Sequence, residues 1–403
     1  MTKRAVLIAA LALRKAALQL VSSPFRAPDG HAASKLGEIR RILFIRIDRV
    51  GDLVLSTPAI RALKYGFPSS ELTVLAGPAA APLLEHNPHV DRVIVYDRSR
   101  GFIEKTARVN ALKRMRFDLA VDPYDDRELE TAWIAGMSGA SLRIGYPCGG
   151  REAFLTRVVK RPEPDQHIIE TVLGVLKPLG VPAVSFRPEI FLTDSEVECA
   201  RGWLGQVGGD ALPFVAIHPG AFYETQRWPA EYYATLADRI LETGRLKVIL
   251  FGGPGDEAIV DRILSLTKTG VVRCVTADIR MFAARLSQCR LLVCNNSGPL
   301  HVGAALGVPT VSFMGPTVKQ RWYPRGDLHV VLRIDELNCI GCNRGVCPAG
   351  TLECMRRITP RMAAEAVSGV VHELHNPGAS ALLTHSAVRV GDSAGNRVGT
   401  KET

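Results

Sequence analysis

Short apolar runs alternate with helical stretches along most of this chain, and that alternation most constrains the fold. In the first half, four apolar runs bounded by turn residues predict strands: Arg41–Ile47, Glu71–Ala76, Arg92–Tyr96 and Leu119–Asp122. Helical spacing lies between them, as in Leu53–Tyr65, where Thr57 and Pro58 mark a kink or a second start, and in Ile103–Arg114. Such alternation predicts a parallel sheet with helices on both faces.

A second alternating unit follows a segment without clear periodicity, Gly180–Asp194, which contains Pro182 and Pro188 and is predicted to be an inter-domain linker. Five further strands are predicted at Phe214–Ile217, Lys247–Phe251, Val271–Cys274, Leu291–Cys294 and Thr310–Phe313. We therefore expect two doubly wound domains, 39–185 and 186–374, which suits a chain of 403 residues. Ligands of such domains bind at the carboxyl ends of the strands, here in the crevice between the domains.

The two ends of the chain differ from the rest. Residues 1–38 hold two apolar runs interrupted by charges, each too short to span a bilayer, and predict either a basic helix on a membrane surface or a passive extension. Residues 375–403 are rich in Gly, Ser, Ala and Asn and are predicted to be a disordered tail. The net charge of +10 favours an anionic partner. No dense run of cations with interleaved aromatics is present in the sequence, so we expect no nucleic acid.

The segment Cys294–His301 contains the clearest candidate ligand site. Its sequence predicts a strand, a tight loop and a helix that Ser297 caps, Pro299 begins and Gly307 ends. Small residues let a ligand approach the backbone, and free N–H groups at a helix start attract phosphate. A diphosphate ligand is the functional interpretation, and an ordinary strand–helix turn is the alternative.

Three other loops follow predicted strands, and each has a plain structural alternative. Asp52 is either a catalytic carboxylate or a helix N-cap. Arg227, after His218-Pro219-Gly220, is either a phosphate ligand or a solvated charge. In Gly252–Glu257, the carboxylates of Asp256 and Glu257 either hold ribose hydroxyls or belong to a turn before a helix.

In their order and content these loops resemble glycosyltransferase family 9, the lipopolysaccharide heptosyltransferases, over roughly residues 39–370. The matching pieces are Arg49-Val50-Gly51-Asp52 with Pro58-Ala59-Ile60, His218-Pro219-Gly220 with Arg227-Trp228-Pro229, Phe251-Gly252-Gly253, and Asn296–His301 with Gly315-Pro316-Thr317. The resemblance implies a GT-B fold, in which two Rossmann-like domains face each other across a cleft. It also implies inverting transfer of a heptose from ADP-heptose, or of a related sugar from another nucleotide sugar, to a lipopolysaccharide core or similar lipid-linked saccharide. Neither a metal nor another cofactor is then expected.

The resemblance also assigns roles to residues. Asp52 matches the family's proposed general base, which would take a proton from the acceptor hydroxyl. Arg49 and Gly51 are expected on the acceptor side. The donor-binding candidates are Gly220, Arg227, Gly253, Glu257, Asn296, Ser297, Gly298, Leu300 and His301. For His301, a satisfied histidine on the helix face is the alternative. The family usually has Asp where this chain has Asn296, which concerns the donor sugar more than the fold.

Four cysteines lie close together near the end of the second unit, at Cys339, Cys342, Cys347 and Cys354. Their number suggests a zinc or iron–sulfur site. Their gaps match no standard zinc ribbon, and similar clusters occur in some members of the family, so a structural loop is the interpretation that we favour. The other cysteines are scattered, and nine in so long a chain indicates a reducing compartment.

Two classes of function remain open at this point. The first is a glycosyltransferase on the cytoplasmic side, peripheral to the inner membrane, that takes a nucleotide-sugar donor and an anionic lipid-linked acceptor. The second is a non-catalytic nucleotide-binding scaffold that kept the fold. A GT-B nucleotide-sugar epimerase is a further enzymatic alternative, but the sequence offers no convincing set of extra acids and bases. The carboxylate at Asp52 favours the transferase, because a scaffold has no need of it.

Overall fold

A computed structural model describes residues 39–208, 212–268 and 270–375 of the chain. The expectations for residues 1–38 and 376–403 lie outside that part. His375 is an exception, because it ends the last helix and does not open a tail.

The strands of the described part fall into two groups of six. In the first group they are β1 Arg41–Arg46, β2 Glu71–Ala76, β3 Arg92–Val95, β4 Leu119–Asp122, β5 Leu142–Gly145 and β6 Arg157–Val158. In the second group they are β7 Phe214–His218, β8 Lys247–Gly252, β9 Val271–Val275, β10 Leu291–Asn295, β11 Thr310–Phe313 and β12 His329–Leu332.

Helices connect these strands. In the first group they are α1 Val50–Val54, α2 Thr57–Gly66, α3 Phe102–Arg114, α4 Glu130–Met137 and α5 Ile168–Gly174. In the second group they are α6 Asp194–Gln206, α7 Ala230–Glu242, α8 Glu257–Leu266, α9 Ile279–Ser287, α10 Gly298–Ala305, α11 Lys319–Trp322, α12 Glu353–Arg356 and α13 Pro360–His375.

Each group of strands forms one parallel sheet. The strand order is β3-β2-β1-β4-β5-β6 in the first sheet and β12-β11-β10-β7-β8-β9 in the second. In both sheets the order reverses beside a central strand, at β1 and β4 in the first and at β7 and β10 in the second. Because all the strands are parallel, the loops that follow them lie at one edge of each sheet, and the reversal point is where a crevice for a ligand opens.

The buried strands explain why the sheets form. In β1 every residue after Arg41 is buried, and β4, β5, β7 and β10 are buried throughout. Strands covered on both faces read as continuous apolar runs, as these do. Apolar clusters lie on the faces of each sheet, and one of them includes Val54 and Leu83 of the first domain with residues of the second. The domains therefore share part of their apolar packing.

The structure settles several details of the predicted elements. Thr57 begins a separate helix, so Thr57 and Pro58 are a second start and not a kink. Residues 181–193 contain no helix or strand, as the linker prediction requires. The helix α6 then begins at Asp194 with a capping box, in which Thr193 accepts from the Glu196 N–H and the Glu196 carboxylate accepts from the Thr193 N–H. The sequence analysis did not predict β5, β6 or β12, each of which has four residues or fewer.

Candidate active site

The four loops that the sequence singled out meet at the facing edges of the two sheets. Loop 1 follows β1, loop 2 follows β7, loop 3 follows β8 and loop 4 follows β10. Because β10, β7 and β8 are neighbours in the second sheet, loops 4, 2 and 3 lie side by side. Loop 1 reaches them from the first domain, and helices α1 and α10 pack on one another.

Loop 1 places Asp52 beside a buried arginine. Asp52 is the third residue of α1, and Arg49 occupies the N-cap position, so the N-cap alternative for Asp52 is wrong. Oδ1 of Asp52 instead accepts from Nη2 of Arg46 at 3.1 Å, and its side chain is 16% exposed. The carboxylate is thus held in place and keeps access to solvent, as a general base needs.

The sequence analysis missed Asp48, a second carboxylate on the same arginine. Its Oδ1 lies 3.3 Å from Nε of Arg46. Burial raises the pKa of Asp48 to about 7, although the Arg46 charge and a hydrogen bond from Tyr124 act in the opposite direction. The Tyr124 hydroxyl accepts from the Ile47 N–H at 3.1 Å. Asp48 could not be distinguished in the sequence from an ordinary turn residue, because only the fold brings it next to Arg46 and Tyr124.

The raised pKa of Asp48 makes stability depend on pH. The unfolded value is 3.8 and the folded value about 7, so the folded chain holds the extra proton between these limits. Stability therefore falls as pH rises through this window, by about 1.4 kcal/mol per pH unit. We expect Asp48→Asn to abolish this fall, measured by chemical denaturation from pH 4.5 to 8.

A matched control for that measurement is Asp261→Asn, which changes an exposed carboxylate paired with Arg273. The control should keep the pH dependence of the natural chain. If the free energies of unfolding of Asp48→Asn and of the natural chain differ by the same amount at every pH, Asp48 has the same pKa in the folded and the unfolded chain.

Loop 4 contacts loop 1 directly across the domain boundary. A Cβ atom on Gly51 would lie 2.8 Å from Cδ2 of His301 and 3.4 Å from Cα of Gly298. The reason for glycine here is therefore the close approach of the other domain. Gly51 is buried inside α1 and directly precedes Asp52. Its expected position on the acceptor side is therefore next to the candidate catalytic carboxylate.

His301 is buried and electrically neutral. It lies in the first turn of α10 and is 4% exposed. The pKa of His301 is lowered to about 3, mainly by burial and also by the charges of His167 and His329. Its Nδ1 has no hydrogen-bond partner, so His301 is not the satisfied helix-face histidine that was the alternative. It can offer a ligand one hydrogen bond and no charge.

Loop 4 presents fewer amides than the sequence suggested. Ser297 is at the N-cap position of α10, but its hydroxyl makes no capping bond and instead lies 3.5 Å from the Asn295 carbonyl. Pro299 has no N–H, and the Leu300 N–H already donates to the Ser297 carbonyl at 3.1 Å. The Leu300 side chain is fully buried in the core. The Leu300 N–H and side chain are thus already engaged within the protein, and Gly298, at the first helical position, has an N–H without an intrahelical acceptor.

The side chain of Asn296 has an unpaired acceptor. Its Oδ1 is buried and makes no hydrogen bond within the protein. The preceding Asn295, which the sequence analysis missed, connects loops 4 and 2, because it accepts from the Trp228 N–H at 3.0 Å and donates to the Pro219 carbonyl at 2.7 Å. A buried amide oxygen without a partner is costly unless a ligand satisfies it.

Loop 2 is held by its tryptophan. Trp228 is fully buried, stacks on Phe313 at 4.2 Å and donates from Nε1 to the Ile358 carbonyl at 2.7 Å. Arg227 precedes it and donates from Nε and Nη2 to the Ala221 carbonyl. Arg227 is partly buried and is not the solvated charge that was the alternative, and its Nη1 remains for an anion.

Loop 3 closes on loop 2. A Cβ on Gly220 would lie 2.4 Å from the Asp256 carboxylate, which also faces Nε2 of His218 at 3.8 Å. The N–H of Gly253 donates to Asp256 at 3.1 Å, and exposed Glu257 accepts from the Gly255 N–H at 2.9 Å. Both carboxylates therefore stabilise the turn, which is the structural alternative given for this loop. To bind a ribose hydroxyl, Glu257 would have to give up its hydrogen bond from the Gly255 N–H.

Arg49 is on the outer side of the same junction. It is exposed, and its guanidinium lies over the ring of Phe222 at 3.7 Å, so it joins loop 1 to loop 2.

Other ion pairs and hydrogen bonds also cross the boundary between the two domains. They are Arg321 to Asp125 at 2.9 Å, Arg280 to the Pro82 carbonyl at 3.0 Å and His167 to the Tyr323 carbonyl at 3.0 Å.

The four clustered cysteines lie outside these loops. Cys339 is exposed, Cys342 and Cys347 are partly exposed, Cys354 is buried, and all four thiols are free. Across residues 39–208, 212–268 and 270–375, no group of three or more His, Cys, Asp or Glu side chains is arranged to hold a metal ion. The same part of the chain contains no helix long and apolar enough to cross a membrane.

The two parallel sheets face each other across a crevice, where loop 1 of the first domain contacts loop 4 of the second. This arrangement is that of the GT-B class of glycosyltransferases. The chain has this fold in common with the glycosyl transferase family 9 structure from Veillonella parvula, with a TM-score of 0.75 and 24% identity over 83% of this chain and 98% of that one. It also has the fold of the Escherichia coli ADP-heptose lps heptosyltransferase II, with a TM-score of 0.68 and 21% identity over 83% and 99% of the two chains.

The chain belongs to glycosyltransferase family 9 (heptosyltransferase), whose sequence profile matches residues 106–352. Among characterised relatives, it is 26% identical to lipooligosaccharide heptosyltransferase 2 of Haemophilus ducreyi, over 79% of this chain and 96% of that protein. It is 27% identical to lipopolysaccharide heptosyltransferase 2 of Escherichia coli, over 69% and 83% of the two chains. The protein is thus an enzyme of glycosyl transfer, which excludes the non-catalytic scaffold.

Proposed function

We propose that this enzyme transfers a heptose from ADP-heptose to a lipopolysaccharide core, or to a similar lipid-linked saccharide, with inversion and without a metal ion. The names of its relatives support the sugar and the acceptor. The observation that carries the proposal is the contact of Gly51 with Gly298 and His301, because it brings Asp52 to the loop that can hold the donor.

In the proposed reaction, Asp52 takes the proton of an acceptor hydroxyl while the hydroxyl oxygen forms a bond to the anomeric carbon of the donor. The bond from that carbon to the diphosphate oxygen breaks, and ADP leaves with the bonding electron pair. Attack from the side opposite to the leaving group inverts the anomeric centre. Arg46 holds the Asp52 carboxylate through Oδ1, which leaves Oδ2 for the acceptor proton.

The leaving diphosphate needs fixed donors when no metal ion supplies positive charge. The Gly298 N–H at the start of α10 and Nη1 of Arg227 are the groups that we assign to it. The orphan Oδ1 of Asn296 can accept a hydrogen bond from a hydroxyl of the donor sugar. An aspartate there would accept as well, so the departure from the family pattern retains the contact and removes a negative charge near the diphosphate.

The proposal is tested by incubating the full chain with ADP-heptose and with UDP- and GDP-sugars, and by measuring nucleotide release and product with a core saccharide acceptor. We expect release from ADP-heptose only, unchanged turnover in EDTA, and a product of inverted anomeric configuration. Turnover that disappears in EDTA and returns with a divalent cation would contradict the metal independence.

The contact of Arg227 with diphosphate gives a separate prediction. Arg227→Ala should weaken ADP binding by about 1.5–3 kcal/mol, the range for hydrogen bonds to charged groups. Adenosine binding should change far less, because it has no phosphate. Calorimetry with both ligands measures this, and Arg262→Ala, an exposed arginine on α8, is the control. Equal losses for ADP and adenosine would show that Arg227 acts on the shape of the loop.

A further inference from the structure

Arg46, at the end of β1, holds both the backbone and the side chain of Asp52. Its Nε donates to the Asp52 carbonyl at 3.3 Å, and its Nη2 donates to Oδ1 of the same residue at 3.1 Å. The buried guanidinium also lies over the ring of Tyr124, 4.7 Å from the ring centre. The direction of the Asp52 carboxylate therefore depends on where Arg46 is held.

Asp48 is the second carboxylate on this guanidinium, and it is confined between two loops. Its Oδ1 lies 3.3 Å from Nε of Arg46. On one side, a Cβ atom on Gly77 would lie 3.1 Å from the Asp48 carbonyl oxygen, so the loop after β2 meets Asp48 through backbone atoms. On the other side, the loop after β4 brings the Tyr124 hydroxyl, which accepts from the Ile47 N–H at 3.1 Å. This packing keeps Asp48 against Arg46.

Two carboxylates on one arginine are coupled in their protonation. The pKa of Asp48 is raised to about 7, mainly by burial and also by the charge of Asp52, against the charge of Arg46. The coupling is reciprocal, so an ionised Asp48 favours the protonated form of Asp52 to the same extent. The other titratable groups at the cluster come from the loop after β4: Tyr124 has a hydrogen bond with Asp48, and the charge of Asp125 acts on Arg46.

We propose that Asp48 is a positioning residue for the transfer reaction and that it tunes Asp52 through their shared arginine, Arg46. With Asp48 ionised, the guanidinium charge is divided between two carboxylates, and Asp52 has the proton affinity that it needs to act on the acceptor hydroxyl. With Asp48 protonated, the guanidinium interacts with Asp52 alone, which makes Asp52 a weaker base. This inference rests on the proposed function, in which Asp52 is the general base.

The test compares the pH dependence of kcat in the natural chain and in Asp48→Asn, with saturating ADP-heptose and a core saccharide acceptor. The amide has the shape of the protonated carboxyl group and cannot ionise. In the natural chain we expect kcat to rise by about three- to tenfold as the pH passes through the region near 7. In Asp48→Asn this step should be absent, and the variant should keep the lower rate at pH 8. Binding of ADP should be the same in both chains.

The matched control is Asp126→Asn, which removes a carboxylate from the neighbouring loop after β4. The side chain of Asp126 is 57% exposed and lies 3.7 Å from Arg151, so the change removes a nearby negative charge that is not paired with Arg46. The step in kcat should persist in this variant. Loss of the step in Asp126→Asn as well would assign it to the general charge of the region and would overturn the specific role of Asp48.

A second measurement needs no substrate. Carbon-13 NMR of the aspartate carboxyl groups gives the titration midpoint of Asp48 in the natural chain and in Asp52→Asn, and the Asp48 signal is assigned by its absence from Asp48→Asn. Removing the charge of Asp52 should lower that midpoint, because a like charge is lost and Arg46 is left to Asp48. An unchanged midpoint would show that the two carboxylates are independent and would overturn the proposal.

The two experiments separate this inference from the proposed function. An active enzyme whose Asp48→Asn variant keeps the step in kcat contradicts the inference alone. A chain without turnover on ADP-heptose at any pH contradicts the proposed function, and the tuning of a transfer reaction is rejected with it.

Discussion

Replacing Asp52 with Asn is expected to lower turnover by about a hundredfold or more and to leave the fold intact, because a positioned base contributes roughly that factor. The amide retains an oxygen that can accept from Arg46, so the local geometry should persist. Steady-state rates with saturating donor and acceptor measure the effect, and ADP binding should stay within a factor of about two, since the base contacts the acceptor and not the diphosphate.

The control for this variant is Asp194→Asn, which changes a first-turn carboxylate of α6 outside the four loops. It tests whether the loss comes from a helix-terminal charge alone. Near-normal turnover in Asp52→Asn would give Asp52 a purely structural role on Arg46, and the base would have to be sought elsewhere.

Removing the arginine that both carboxylates share should be the most damaging single change to stability around the site. Arg46 is 3% exposed and lies between Asp48 and Asp52. Arg46→Met leaves them without a counter-charge, and breaking a buried pair in this way costs about 3–5 kcal/mol. The loss should be measured by chemical denaturation at pH 8, where Asp48 is ionised.

The same loss should be smaller at pH 5, because Asp48 is then protonated and needs no partner. Combining Arg46→Met with Asp48→Asn should recover part of the stability at pH 8, and the double-mutant cycle gives the coupling between the two groups. Arg361→Met, at an arginine whose side chain is 80% exposed, is the control. An equal loss at both pH values would assign the effect of Arg46 to packing and not to charge.

The regular elements were predictable because their signals are local. The strands β2, β4 and β11 occupy the predicted residues, since each is an apolar run between turn residues. The strand β6 could not be recognised, because two residues give too few positions to show a period, and β5 has Arg143 within its short apolar run. The order of strands within each sheet depends on long-range pairing, which no local signal contains.

The site was predictable in its loops and less so in its side chains. The sequence correctly placed Asp52, Asn296 and Arg227 on loops that meet, because strand ends gather at one edge of a parallel sheet. It could not show that the Leu300 amide donates to the Ser297 carbonyl in the first turn of α10. It missed Asp48 and Asn295, because their importance comes from burial and from partners far away in the chain. Contact between domains, as at Gly51, cannot be inferred from one loop alone.

The contact between Gly51 and the start of α10 has a consequence for the order of events in a turnover. Asp52 is adjacent to Gly51, so any hinge motion that separates the domains withdraws the carboxylate from the donor loop in the same movement. An enzyme that has bound its sugar nucleotide while open then lacks the group that could activate a stray water molecule. On the proposed function, hydrolysis of the donor is suppressed by timing, because Asp52 and the anomeric carbon come together only when the two domains are in contact.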